Sequence, residues 1–332
     1  MSDGANRHAV IGVTENFWQH STQNGFDLTH PSSPSASRVA HSLNITATTT
    51  PIAVDPAKTA LVIIDMQNFF LSESFGRTRG AGHAACDALL THAIPAARKA
   101  GVQIIWLNWG LTENDVSTMP PAVKRAFGFE AHADSNDSLI AGEEYFKEHP
   151  SGIGVDKFGD KRHKGGHKML ENGKDGRIYK GLGSQCGNVT LPSGKTVDAG
   201  CLLMRDTWNA SLYPPLDEAY QQGLKSKRPD VWIHKNRMSG MWGAATDCQK
   251  YLDREGIRTL LFTGVNTDQC VSGTLTDSFS KGYDCILLSD GCGTTSPQYA
   301  TECIEYNAAR TWGFVASCEN FAAGVHEMLN ES

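Results

Sequence analysis

Apolar and polar positions divide the chain into two textures. Ala60 to Asp65 is a continuous apolar run ending in an acid, the pattern of a strand buried on both faces. A helical periodicity follows from about Ala84 to Ala100 and closes at Gly101, and Val102 to Trp109 is a second apolar run. Together they predict one βαβ unit. The texture returns late in the chain, with Val231 to His234 as a short strand, a helix over Ala244 to Glu255 capped by Gly256, and Thr259 to Val265 as a strand. A helix over Asp268 to Lys281 then stops at Gly282, Asp284 to Ser289 reads as a strand, and Pro297 to Thr311 as a helix. Strands alternating with helices predict an α/β fold, a parallel sheet with both faces covered.

Two stretches lack that rhythm. Residues 1–50 are rich in Ser, Thr, Asn and His and carry Pro31-Ser-Ser-Pro-Ser35, so they read as a draped or partly disordered N-terminal extension. Residues 111–229 are dominated by Gly, Pro and polar side chains, and their length is odd for a plain loop. They read as an inserted lid or cap that splits a core of 51–110 and 230–332. Inside the insertion, Val189 to Val197 has the pattern of a hairpin turning at Ser193-Gly194. Lys157 to Gly183 is a glycine-rich basic stretch, read as a solvated loop or as a cationic wall over an anionic substrate.

Composition narrows the function class. With 40% hydrophobic and 20% charged residues among 332, the chain can bury a sizeable core. The longest apolar runs, such as Ala60 to Ile64, fall far below the roughly 18 residues a membrane span needs. A net charge of -6 gives no basic field for nucleic acid. A small-molecule partner is expected, with no nucleic acid and no membrane. The nine cysteines are odd in number, form no CxxC pair, and follow an N-terminus without an apolar signal core. Free thiols in a reducing, cytoplasmic setting are expected. The Asn-x-Ser/Thr triplets at Asn44, Asn136, Asn188 and Asn209 are then chance matches.

In an open α/β sheet the ligand crevice lies outside the carboxyl ends of the strands. Three reactive side chains fall there: Asp65, Lys235 and, just after the strand ending at Val265, Cys270. A helix N-terminus lowers a thiol pKa, so Cys270 in the first turn of the next helix is a candidate nucleophile, against the plain alternative of a small buried hydrophobe. An acid ending an apolar strand needs a partner or caps the next turn. An isolated lysine such as Lys235 is, by itself, usually a solvated charge.

Three ordered motifs add to this. Ala60-Leu-Val-Ile-Ile-Asp65-Met-Gln-Asn-Phe-Phe70 resembles the opening strand of the isochorismatase-like cysteine hydrolases, a family of nicotinamidases, N-carbamoylsarcosine amidases, and ureidoacrylate and biuret hydrolases. Lys235-Asn-Arg-Met-Ser239-Gly-Met resembles its lysine block. Gly264-Val-Asn-Thr-Asp-Gln-Cys270-Val-Ser-Gly-Thr-Leu-Thr-Asp277, with Gly282-Tyr and Ser289-Asp290, resembles its nucleophile block. The resemblance covers roughly 55–110 and 230–320. It implies a Rossmann-like fold, Cys270 as nucleophile, Asp65 as general base and acid, and Lys235 holding both in register. It also implies a cis peptide between Val265 and Asn266, with the backbone N–H groups of Asn266 and Cys270 as oxyanion hole.

The expected function is cysteine-dependent hydrolysis of a C–N bond in a small amide, ureido or carbamoyl compound, through a thioester. The alternatives are a vinyl-ether hydrolase of the isochorismatase type and a catalytically silent binding or assembly member. Gln67, Phe70, Asn108 and Trp109 lie near the first two strand ends and are candidate substrate contacts, with Trp106 a further candidate or a core aromatic. The nicotinamidase branch binds metal through an Asp-x-His after the second strand, whereas Trp106-Leu-Asn-Trp-Gly-Leu supplies none of these ligands. No metal and no cofactor are expected. The pair His163 and His167 lies in a glycine-rich stretch unsuited to a helix. A homo-oligomer, dimer or tetramer, is expected.

Overall fold

The computed structural model describes residues 6–36, 38–131, 152–160 and 179–330. The chain divides into two compact units, one of Met1–Met66, Gly80–Asn108 and Pro214–Ser332, the other of Gln67–Arg79 and Trp109–Tyr213.

The first unit opens with β1 (His8–Val13), β2 (Asn16–Ser21), β3 (Gly25–Leu28), β4 (Leu43–Thr46) and β5 (Pro51–Val54). They form a five-stranded sheet in the order β1-β2-β3-β5-β4. The stretch expected as a draped extension is thus built into the first unit. Its strands are short and only partly buried, as in the exposed–buried alternation of Leu43-Asn-Ile-Thr, which is why no sustained apolar run announces them.

The main sheet of this unit uses β6 (Thr59–Ile64) and β7 (Gln103–Trp109). The second unit supplies β8 (Phe129–Ala131), β9 (Ile153–Val155), β10 (Asn188–Thr190) and β11 (Thr196–Asp198). The main sheet then resumes with β12 (Val231–Lys235), β13 (Thr259–Val265), β14 (Asp284–Gly293) and β15 (Phe314–Ala316). Its order is β12-β7-β6-β13-β14-β15. Leu61 pairs in parallel with Ile104 on one side and Leu261 on the other, Leu261 with Ile286, and Leu287 with Val315. Every residue of β6, β7 and β13 is buried, as expected for strands covered on both faces.

Buried polar groups fix the edge strand β12. Asp230, directly before it, accepts from the Trp106 indole N–H (2.9 Å) and from Arg98 Nη2 (3.0 Å), and Gln103 Nε2 donates to Pro229 O (2.9 Å). Burial pushes the Asp230 carboxyl up from its usual range, against the opposing pull of Trp106 and Arg98. Trp106 is therefore a core aromatic whose polar atom has a partner.

The second unit contains short helices, Glu113–Ser117 and Pro121–Ala126, the antiparallel pair β8–β9, and the hairpin β10–β11. Val189 pairs with Val197, and Gly194 turns the chain at φ 82°. Residues 67–79 group with the insertion, and 214–229 with the first unit, so these boundaries differ from the sequence-based 111–229. His163 and His167 lie outside the described residues, as does most of the basic stretch. Among the described residues no helix is long and apolar enough to cross a membrane.

Candidate active site

Asp65 follows β6 in left-handed backbone, φ 54°, a region Asp tolerates better than most residues. Its N–H still donates to Leu107 O (3.2 Å), so the chain leaves the sheet only after this last strand-type bond. Lys235 ends β12. Because β7 lies between β12 and β6, the lysine reaches over the end of a whole strand to place Nζ 2.9 Å from Asp65 Oδ2. The two side chains are 2% and 0% exposed. Nζ also donates to Arg237 O (3.1 Å) and Met238 O (3.2 Å). Two of the ammonium's three donors are thus taken by backbone carbonyls, with the Asp65 carboxylate at ion-pair distance. Lys235 is therefore not the solvated charge that an isolated lysine usually is.

The third residue arrives on β13. Gly264, at φ 114°, lies so close to β6 that a Cβ would run into Ile64 O, so only glycine fits here. The β13–β14 register shifts between Phe262 and Gly264, and a cis peptide joins Val265 to Asn266, as the family resemblance implied. A single π-helical turn, Thr267–Val271, holds Cys270 before the helix Ser272–Ser280 begins. Asn266 O accepts from the N–H groups of Gln269 (3.0 Å) and Val271 (3.2 Å). The Cys270 side of the sheet edge is thus entered through a π turn rather than the regular first turn that the sequence pattern predicts.

One contact was not legible in the sequence. Buried Thr274 donates its hydroxyl to Cys270 O (2.7 Å) and accepts from Gly240 N–H (3.2 Å). Residues 236–241 therefore hold the Lys235 ammonium through two carbonyls and the Cys270 turn through one amide. Gly240 is itself pressed against the Leu107 side chain, where a Cβ has no room without displacing it.

Asn108 is fully buried near the end of β7, in the strand lying between those of Lys235 and Asp65. Neither its Nδ2 nor its Oδ1 has a hydrogen-bond partner among the described residues. The other three candidate contacts belong to the second unit. Gln67 is 0% exposed; it donates to Trp109 O (2.8 Å) and Ala210 O (2.6 Å) and accepts from Trp109 N–H (3.1 Å). Its amide is spent on backbone, which argues against a substrate contact. Trp109 is buried, with its ring edge-on to Phe127 at 5.0 Å, a core position. Phe70 is half-buried and meets Phe69 at 4.8 Å.

Burial pushes Cys248 up to about 12, and burial followed by the charges of Cys201 and Asp198 pushes Cys186 up to about 12. Cys285, Cys292 and Cys318 are raised as well, by burial first and then by Asp284 or Asp290.

An isochorismatase domain matches residues 203–316, a span that holds Lys235, Asn266 and Cys270. The ureidoacrylate amidohydrolase RutB of Rhizobium rhizogenes is 25% identical over 292 residues, covering 87% of this chain and 92% of that protein. Over residues 203–316 the chain is similar to the isochorismatase family. RutB of Stutzerimonas stutzeri is 27% identical over 282 residues, 82% of this chain and 86% of that one. Among solved structures, an isochorismatase family protein of Desulfovibrio vulgaris superposes with TM-score 0.47 at 18% identity, covering 82% of this chain and 98% of that one. The matched span includes strands β12 to β15 of the α/β parallel sheet described above.

Proposed function

We propose that this chain is an amidohydrolase of nonpeptide C–N bonds, with Cys270 as nucleophile and a ureido or carbamoyl acid as substrate. The observation that carries the reading is the buried Asp65–Lys235 pair at the edge of the sheet from which the Cys270 turn departs. The similarity to the RutB ureidoacrylate amidohydrolases supports the bond class.

The chemistry follows from these groups. Asp65 takes the proton of the Cys270 thiol, and the thiolate adds to the substrate carbonyl. The oxygen that becomes negative is held by the backbone N–H groups of Asn266 and Cys270. Protonated Asp65 gives its proton to the leaving nitrogen as the C–N bond breaks, leaving an acyl group on sulfur. Water, deprotonated by Asp65, then adds to the thioester, and the thiol is regenerated with its proton. Lys235 keeps the carboxylate aligned and compensates its charge through each exchange. Asn108 offers one N–H donor pair and one carbonyl acceptor to the amide end of the substrate, a task that fits a buried amide unpaired within the protein.

A panel of nicotinamide, ureido acids, biuret and N-carbamoyl amino acids assayed for ammonia release tests the proposal. Turnover of ureido or carbamoyl acids above the other compounds is the expected result. Turnover of none of them by folded protein would reject it.

A further inference from the structure

We infer that Asp268 is a positioning residue for Cys270, tying the turn that carries the thiol to the chain as it leaves β14. The inference rests on the reading of Cys270 as the reacting group. In the sequence Asp268 is only an acid at the start of a helix, a place where acids are common for their effect on the helix dipole. Its contact in the structure is of another kind. A carboxylate only accepts, so the Thr294 hydroxyl donates to Asp268 Oδ1 at 2.6 Å, while Thr294 Oγ1 accepts from the Ser296 N–H at 3.1 Å. The first distance is that of a charge-assisted bond, roughly twice as strong as one between neutral groups.

Register brings the two residues together. Val265, the last residue of β13, stands opposite Gly293, the last of β14. Thr294 is therefore the first residue beyond β14, and Asp268 the third beyond β13. A Cβ on Gly293 would run into the backbone of Ala81 and Gly82, in the first turn of the helix Ala81–Ala88, so that helix fixes the exit of β14 and, with it, Thr294. Cys270 lies two residues past Asp268 in the same π turn, Thr267–Val271. On its far side Thr274 joins Cys270 O to the Gly240 N–H. The thiol turn is thus fastened on one side to β14 and on the other to the Lys235 loop. A negative charge near a thiol works against the thiolate, so what the turn gains from Asp268 is an acceptor oxygen and not a charge. A neutral acceptor of the same shape, asparagine, should serve in its place.

Kinetics and alkylation of folded variants of the full chain test this. Asp268→Ala and Thr294→Val are each expected to lower kcat by roughly ten- to a hundredfold with KM little changed, because the thiol is displaced while the rest of the site stands. The double variant should be no worse than either single one, since the two groups make one bond. Asp268→Asn should recover most of the kcat lost in Asp268→Ala. The rate of Cys270 alkylation by iodoacetamide, read by peptide mapping against exposed Cys303, should change several-fold in Asp268→Ala and Thr294→Val and stay near wild type in Asp268→Asn. Alkylation needs no substrate, so it tests the tether even where no ureido or carbamoyl acid is turned over or Cys270→Ala proves active. Wild-type kinetics and alkylation in Asp268→Ala overturn the inference, as do additive losses in the double variant. An Asp268→Asn variant as impaired as Asp268→Ala overturns it too, because the charge would then be what matters. Thr294→Val removes only a hydroxyl and decides the matter if Asp268→Ala misfolds.

Discussion

The Lys235 ammonium lies 2.9 Å from Asp65 Oδ2 with both side chains out of solvent, although their strands are not neighbours in the sheet. The pair spans β7, and Asn108 lies in that strand, between the two. A buried ion pair of this kind is a weak source of net stability but an expensive one to break from one side.

Lys235→Ala should therefore lose stability as well as turnover, by about 3–5 kcal/mol, because it leaves a buried carboxylate alone. Asp65→Asn/Lys235→Ala should recover part of that loss in urea unfolding while remaining inactive. Equal stability of Lys235→Ala and wild type would mean that the pair is not held as described.

Asn108→Leu separates recognition from folding. If the amide serves the substrate, kcat/KM falls by roughly 10- to 100-fold, the worth of one or two buried hydrogen bonds. The folded protein should become no less stable, since an amide without protein partners has been removed from the interior. Unchanged kcat/KM together with lower stability would give Asn108 a purely structural role.

Thr274→Val should leave the fold intact but loosen the joint between the Lys235 loop and the Cys270 turn. A fall in kcat of roughly ten- to a hundredfold, with KM little changed and recovery in Thr274→Ser, is the expected pattern. Identical kinetics for the valine and serine variants would remove the hydroxyl from the account.

Much of this was legible in the chain. Strands buried on both faces, such as Ala60 to Ile64, announce themselves as unbroken apolar runs, and Asp65 after β6, Lys235 at the end of the edge strand β12 and Cys270 after β13 lie toward one end of the strands because the sheet is parallel. What escaped has physical reasons. The first fifty residues form half-exposed strands whose alternation spans only four to six positions, too short to stand out from polar coil. Gln67 and Trp109 sit beside the strand ends in sequence, yet their amide and backbone bond each other, and nothing in residue type distinguishes such a clamp from a substrate contact. The bridging Thr274 resembles any helix threonine, because its second partner, Gly240, is 34 residues away.

Thiol chemistry should follow the burial pattern. Brief iodoacetamide treatment near neutral pH should leave Cys186 and Cys248 unmodified, since burial holds both thiols protonated up to about 12. Exposed Cys303 is expected to react whether or not substrate is present, while labelling of Cys270 is suppressed by substrate. Substrate-independent labelling at Cys270 would place it outside the reaction.

The central claim is that Cys270 forms the bond to carbon. Steady-state turnover of folded Cys270→Ala on whichever ureido or carbamoyl acid the wild-type protein hydrolyses tests it most directly. The account predicts activity below detection with unfolding behaviour close to wild type; turnover within a few fold of wild type would contradict it.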